Sequence, residues 1–268
     1  MINPFFSIIT PCYQPGDRLA ATIQSVLSQR FTEYEVIIKD AGSSDGSLEA
    51  VPGDERIRVI RSKDSGIYDG MNQAIASARG EFLYFLNCGD LLHDADVLSD
   101  MVEYIQREWD GSSRPVIYYG DVWEKRTGQR VAAKPAMTHF AMYRNLPCHQ
   151  ACFYSRDLFE RRQFDLHYRV RADYEHFLWC VLEAGAQTHA MDRIVADYEG
   201  GGFSETKENR KCSAREHREI TEQYFGTGEC LRYRLAMLLS LQPLRAKLSS
   251  SPVTAAVYDT IKNRVYGK

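Results

Sequence analysis

The chain has 268 residues, 44% hydrophobic and 26% charged, which is long enough to bury a sizeable core and too apolar for a disordered protein. Its formal net charge of −3 gives no reason to expect nucleic acid as a partner. Seven cysteines at irregular positions argue for reduced thiols rather than a disulfide framework.

The opening residues lack a basic region ahead of an apolar run, so no signal peptide is expected, and no apolar run reaches the roughly 18 residues of a membrane span. A cytoplasmic setting follows as the expectation. Residues 6–10 form a β-branched run stopped by Pro11, after which Leu19, Ile23, Val26 and Leu27 recur at helical spacing. Residues 35–39 read as a second strand, ended by a turn-rich stretch from Asp40 to Gly46, and residues 57–60 as a third. Ile67, Met71, Ala74, Ile75 and Ala78 mark one face of a helix that Gly80 is expected to end, and residues 82–86 form a fourth strand.

Such alternation implies right-handed βαβ units and a mostly parallel sheet. Ligands bind beyond the carboxyl ends of strands in these sheets. Pro11-Cys12-Tyr13, the stretch from Asp40 to Asp45, and Asn87-Cys88-Gly89-Asp90 are therefore expected to share one rim. The second half is less regular. Residues 116–119 and 188–196 read as strands, and Phe177, Leu178, Val181 and Leu182 lie on a helix closed by Gly185.

Several blocks, taken in order, resemble family 2 glycosyltransferases, most closely a bacterial branch that builds surface polysaccharides. They are Ser7-Ile8-Ile9-Thr10-Pro11, Lys39-Asp40-Ala41-Gly42-Ser43-Ser44-Asp45-Gly46, Asp64-Ser65-Gly66-Ile67-Tyr68-Asp69-Gly70-Met71-Asn72 and Leu86-Asn87-Cys88-Gly89-Asp90. His149-Gln150, Ala172-Asp173-Tyr174-Glu175 and Gly201-Gly202-Phe203-Ser204 continue the likeness. The resemblance implies a GT-A-type α/β nucleotide-binding fold, with a mostly parallel central sheet flanked by helices and a C-terminal helical extension. In that reading residues 1–228 are the transferase domain, about 1–95 binding nucleotide and 96–228 serving acceptor and catalysis, and 229–268 are the extension. It also implies an inverting, metal-dependent transfer from a UDP- or GDP-sugar to the hydroxyl of a sugar or lipid-linked sugar.

By the same resemblance Asp40 hydrogen-bonds the base, with Thr10, Pro11 and Tyr13 as the facing wall. A turn aspartate before Gly42 is the competing reading of Asp40. Asp64, Tyr68, Asp69 and Asn72 surround a helix start that can face anionic groups and bind ribose or sugar hydroxyls; Asp64 or Ser65 as a plain helix cap is the alternative. A departing diphosphate calls for Mg²⁺ or Mn²⁺ on hard oxygen ligands. The family's Asp-x-Asp-type cluster is depleted, with Asn87 and Gly89 in place of acids, and Asp90 remains. Asp173 resembles the catalytic base, with Glu175 in reserve, and an aspartate starting a helix is otherwise an ordinary N-cap. His149 is expected at acceptor, sugar or phosphate, and Gly202 and Ser204 in a flap over the diphosphate.

A nucleotidyltransferase would want a Gly-rich, basic triphosphate loop that is missing near the first strand, and a dehydrogenase a G-x-G-x-x-G. An inactive nucleotide-sugar-binding scaffold is the remaining alternative, kept open by the depleted acids. From Glu229 onward seven basic residues face two acids, and Leu231, Leu235, Leu238 and Leu239 fall on one helical face. Such a helix suits peripheral contact with the inner face of an anionic membrane, or core packing or a homodimer contact.

Overall fold

The structure, a computed structural model, describes residues 4–201 and 206–239. The chain divides into two compact units between Ile220 and Thr221. In chain order the first unit begins β1 (Phe6–Cys12), α1 (Asp17–Leu27), β2 (Tyr34–Asp40), β3 (Ile57–Arg61), α2 (Ile67–Ile75) and β4 (Phe82–Phe85). It continues β5 (Leu91–Leu92), α3 (Val97–Glu108), β6 (Val116–Glu124), β7 (Gln129–Val131), α4 (His139–Arg144), β8 (Cys152–Ser155), α5 (Arg156–Arg161), α6 (Ala172–Leu182) and β9 (Gln187–Tyr198). A final helix, α7 (Lys207–Leu239), is broken at Gly226, whose φ of 75° lies outside helical space.

One nine-stranded sheet runs in the order β3-β2-β1-β4-β8-β6-β9-β5, with β7 paired to β6. β1 sits between β2 and β4, parallel to both, and every residue of β1 and β2 is buried. That double-sided burial explains their continuous apolar runs. Leu19, Ile23 and Val26 of α1 close one face of this core together with Phe6, Ile8 and Tyr84. The charges that fall on buried strands are paired: Glu35 with Arg79 at 2.8 Å, and Lys39 with Asp64 at 2.9 Å.

The mostly parallel sheet expected from the sequence is corrected to a mixed one. β1–β2, β1–β4, β2–β3 and β6–β9 pair parallel, whereas β4–β8, β6–β8, β6–β7 and β5–β9 pair antiparallel. β5, β7 and β8 are two to four residues long, too short to show a period, and antiparallel neighbours need no crossover helix. Two boundaries also differ. β1 runs through Pro11 to Cys12, and α2 stops at Ile75, well short of Gly80. Gly80 instead lies against β1, where a Cβ would collide with the Ser7 amide nitrogen. Its small size serves strand packing rather than a helix end.

Candidate active site

A cavity of about 1580 Å³ opens at the carboxyl ends of β1, β2 and β4. Pro11, Cys12 and Tyr13 and then Asn87, Cys88 and Asp90 line it, so the first and third polar clusters share a rim, which the stretch from Asp40 to Asp45 reaches through Ala41 alone. The loops are stitched together there: the Gln14 amide donates to Ser43 Oγ at 2.8 Å and the Ala41 amide to the Cys12 carbonyl at 3.0 Å. The facing wall comes from residues 131–150 and from α6. The volume exceeds the roughly 300–1,000 Å³ of a site for one small ligand and suits two substrates.

Asp173 lines the cavity on the second residue of α6; the N-cap is Arg171, so Asp173 is not the helix cap. Its Oδ1 lies 2.8 Å from the Tyr68 hydroxyl, which is also 2.9 Å from the Val170 carbonyl. A phenol has one proton, so it donates to one of these acceptors at a time. Burial, and next the Asp173 charge, push the Tyr68 pKa well above its ordinary value, which keeps it a donor. Glu175, by contrast, is fully buried outside the cavity and pairs with Arg162 at 2.8 Å.

His149 also lines the cavity, its ring stacked on Phe85 at 5.0 Å. Both ring nitrogens are shut off from water and have no hydrogen-bond partner among the described residues. Burial lowers its pKa, so the ring is neutral, with one nitrogen a donor and the other an acceptor. Asp64, also lining the cavity, is fixed by buried Lys39 and by the Gly66 amide at 3.2 Å. Tyr13 is 66% exposed and forms part of the rim.

Other expected residues hold the frame. Asp40 is fully buried and does not line the cavity. Its carboxylate accepts the Gly42 and Ser43 amides and pairs with Arg61 at 3.2 Å, as a turn-organising residue does. Asn72 clamps Phe164 through two bonds, of 2.9 and 3.0 Å, and Asp69 accepts the Ser65 amide at 2.7 Å. Thr10 is buried below the rim. Gly202 and Ser204 lie outside the described residues, as does everything after residue 239.

At the Asn87-Cys88-Gly89-Asp90 turn, Asp90 is 4% exposed and accepts from Gln150 Nε2 at 2.8 Å and from the Glu199 amide at 2.9 Å. Burial raises its carboxyl pKa to about 6. Asn87 Oδ1 is buried and has no partner among the described residues. The described residues contain no cluster of three His, Cys, Asp or Glu side chains able to hold a metal ion. The oxygens present are nonetheless the hard donors Mg²⁺ and Mn²⁺ prefer, and these ions commonly take the rest of their ligands from phosphate and water. The donor set fits such an ion in that partial form.

Residues that pattern reading passed over include Glu199, Gln150 as a partner of Asp90, and Glu216. Glu216 accepts the successive amides of Arg169, Val170 and Arg171 at 2.9–3.0 Å, just ahead of α6. Gln150 was visible in the His149-Gln150 pair. Glu216 carried no signal, because its partners lie about 45 residues away in sequence.

A profile described as glycosyl transferase family 2 matches residues 7–168. The chain belongs to that family. A PGL/p-HBAD biosynthesis glycosyltransferase of Mycobacterium bovis (strain BCG / Pasteur 1173P2) is 35% identical to this glycosyltransferase over 214 residues, covering 77% of this chain and 81% of its own. An uncharacterized glycosyltransferase of Mycobacterium tuberculosis (strain ATCC 25618 / H37Rv) is 30% identical over 67% of this chain and 70% of its own. Among solved structures, S. aureus TarS 1-349 in complex with UDP-GlcNAc superposes with a TM-score of 0.62 at 16% identity, over 92% of this chain and 81% of that one. Mannosyltransferase PcManGT from Pyrobaculum calidifontis, in complex with GDP-Man and Mn²⁺, gives 0.60 at 14% identity, over 100% and 89%. These likenesses show the α/β nucleotide-binding fold of GT-A type. The protein is a glycosyltransferase that takes sugar from a nucleotide-sugar donor, related to bacterial surface-polysaccharide (PGL/p-HBAD) biosynthesis enzymes.

Proposed function

We propose that this glycosyltransferase is an inverting, metal-dependent enzyme with Asp173 as the base that activates an acceptor hydroxyl. The observation that carries this reading is the Asp173 carboxylate at the cavity wall, held at one oxygen by Tyr68. In direct displacement the acceptor hydroxyl gives its proton to Asp173 as its oxygen bonds to the anomeric carbon. The bond from that carbon to the diphosphate breaks, and its electron pair leaves with the diphosphate. Lys63 and Arg171, both lining the cavity, would offer positive charge to the departing diphosphate. His149 lines the cavity with a neutral ring that contacts the donor sugar or acceptor.

The metal, when bound, neutralises the diphosphate; Asp90 and Asn87 are the residues of the turn that would hold it. Pro11, Tyr13 and Ala41 form the nucleotide end of the cavity, with Asp40 shaping the turn beneath. Support for a UDP- or GDP-sugar donor comes from the ligands of the two solved structures named above. For the acceptor, the wall carries Val131, Ala132, Pro135, Ala136, Phe140 and Leu146, an apolar ledge that suits a lipid-linked or aglycone-bearing sugar. Within the C-terminal unit, Leu231, Leu235 and Leu238 are 58%, 51% and 62% exposed, a face suited to a membrane surface or a second copy. None of the described helices is long and apolar enough to cross a membrane. The exposed leucine face and the apolar ledge support work at the cytoplasmic face of the membrane.

The test is a thermal-shift screen against UDP-, GDP- and dTDP-sugars with and without Mn²⁺, since any ligand of the native state raises the melting temperature. Donor hydrolysis by wild type and by Asp173→Asn completes it. No shift with any donor, or equal hydrolysis by both proteins, would overturn the reading.

A further inference from the structure

The depleted metal turn poses a chemical problem. A diphosphate-bound Mg²⁺ or Mn²⁺ is left with one carboxylate, Asp90, because Gly89 stands where an acid would contribute a second. The space beside Gly89 is not empty. A Cβ built on Gly89, whose φ is 101°, would collide with Glu199 Oε2. A carboxylate oxygen thus occupies the position from which a side chain at residue 89 would start. Glu199 comes from the chain leaving β9, more than a hundred residues later, and its own amide donates to Asp90 Oδ1 at 2.9 Å. The backbone bond and the side-chain placement together tie residue 199 to the turn.

We propose that Glu199 supplies the second carboxylate of the metal site, in the space that Gly89 leaves open. This rests on the metal-dependent reading above. Asp90, Glu199 and Asn87 all line the same cavity and would offer three hard oxygen donors, and the Asn87 Oδ1 is buried with no partner among the described residues. Among the described residues, the rival for the Glu199 carboxylate is Arg18, at 3.8 Å. Both side chains are about half exposed, at 57% and 46%, so water and salt screen that pair strongly and it does not explain the placement. Gly89 is thereby required twice over: for its positive φ, and because any side chain there would evict Glu199.

The experiment measures Mn²⁺ binding directly, by the loss of the free-ion electron paramagnetic resonance signal, on the full chain alone and with UDP or GDP. Wild type is compared with Asp90→Asn, Glu199→Gln, Glu199→Ala and Arg18→Gln, after unfolding temperatures in EDTA establish that each is folded. Asp90→Asn and both Glu199 variants are expected to weaken Mn²⁺ binding by about tenfold or more, the equivalent of about 1.4 kcal/mol each. Arg18→Gln is expected to leave Mn²⁺ binding unchanged or tighten it. Loss with Asp90→Asn but wild-type affinity in both Glu199 variants would overturn the role of Glu199 while leaving the metal reading intact. Equal weakening by Arg18→Gln and Glu199→Gln would also overturn it, by showing that Glu199 acts through Arg18. Wild type that takes up no Mn²⁺, even with UDP or GDP, would remove the metal reading itself.

Discussion

Replacing Glu216 by glutamine changes one atom outside the cavity, yet it should loosen the site. Glu216 is 3% exposed. Oε1 accepts the Arg169 amide at 2.9 Å and the Cys212 thiol at 3.0 Å; Oε2 accepts the Val170 and Arg171 amides at 3.0 and 2.9 Å. In the Glu216→Gln variant the best placement of the new amide keeps its oxygen on the latter two amides and turns its NH₂ toward Arg169. The Arg169 amide then loses a buried charge-assisted acceptor, worth about 1.5–3 kcal/mol, and two bonds fall from charged to neutral strength, about 0.5–1 kcal/mol each. The Cys212 thiol also loses its acceptor, but its sulfur can accept from the new NH₂, so it is left out of the sum. The sum is about 2.5–5 kcal/mol, or a melting temperature lower by roughly 10 °C for a domain of this size. Residues 169–171 lead into α6 and present the Val170 carbonyl to Tyr68, so kcat should fall on the order of tenfold to a hundredfold while the thermal shift given by donor persists. Although burial pushes the Glu216 pKa up, the bonds from Cys212 and the three amides hold it below the ordinary range. Its stabilising contribution is therefore present above the unfolded carboxyl pKa and lost as pH falls below it. The gap between wild type and variant should be full at pH 7 and shrink below about pH 4. Denaturant titrations at both pH values test this. A variant within about 1 kcal/mol of wild type at pH 7 would refute the reasoning.

Asp173→Asn should leave the donor-induced thermal shift in place while turnover falls about 10²–10⁴-fold, and near-normal turnover would move suspicion to another base. Tyr68→Phe should lower kcat with little change in donor affinity; a parallel loss of both would mark a purely structural role. His176 is fully buried, stacked on Phe159 at 4.2 Å, and burial lowers its pKa to about 3. The unfolded chain then binds more protons between about pH 6.5 and 3, so stability should fall on acidification across that window by up to about 1.4 kcal/mol per pH unit. Urea midpoints at pH 7, 5.5 and 4 that fail to decline would contradict this.

The first 90 residues were legible because their strands are long, buried on both faces and separated by helices, so Phe6, Ile8, Ile37 and Phe85 announce themselves as core. The rim shared by Tyr13, Ala41 and Asp90 followed from that order of elements. Asp173 and His149 were legible as members of motifs, and the structure brings both to the cavity. The role expected for Asp40 was harder to read, since an aspartate in a Gly-Ser turn looks the same whether it faces a base or its own backbone amides. Antiparallel β8 was hidden by its brevity. Glu216 acts across a long separation on backbone amides and Glu199 reaches Asp90 through its own amide; backbone groups have no letter in a sequence.

β8 lies between β4 and β6, hydrogen-bonded to both. The strands whose ends form the rim of the cavity and β6 beyond β8 therefore belong to one uninterrupted sheet. A cleft bounded by two lobes on a hinge can gape; this one cannot without unzipping β4 from β8 and baring Phe153 and Tyr154, both now buried. Such a rupture resembles partial unfolding, far rarer than a turnover. Substrates must enter and products leave past the segments around the mouth, residues 131–147 among them, over a floor that stays still. The relative placement of the strands on the two sides of the cavity is thus set when the chain folds.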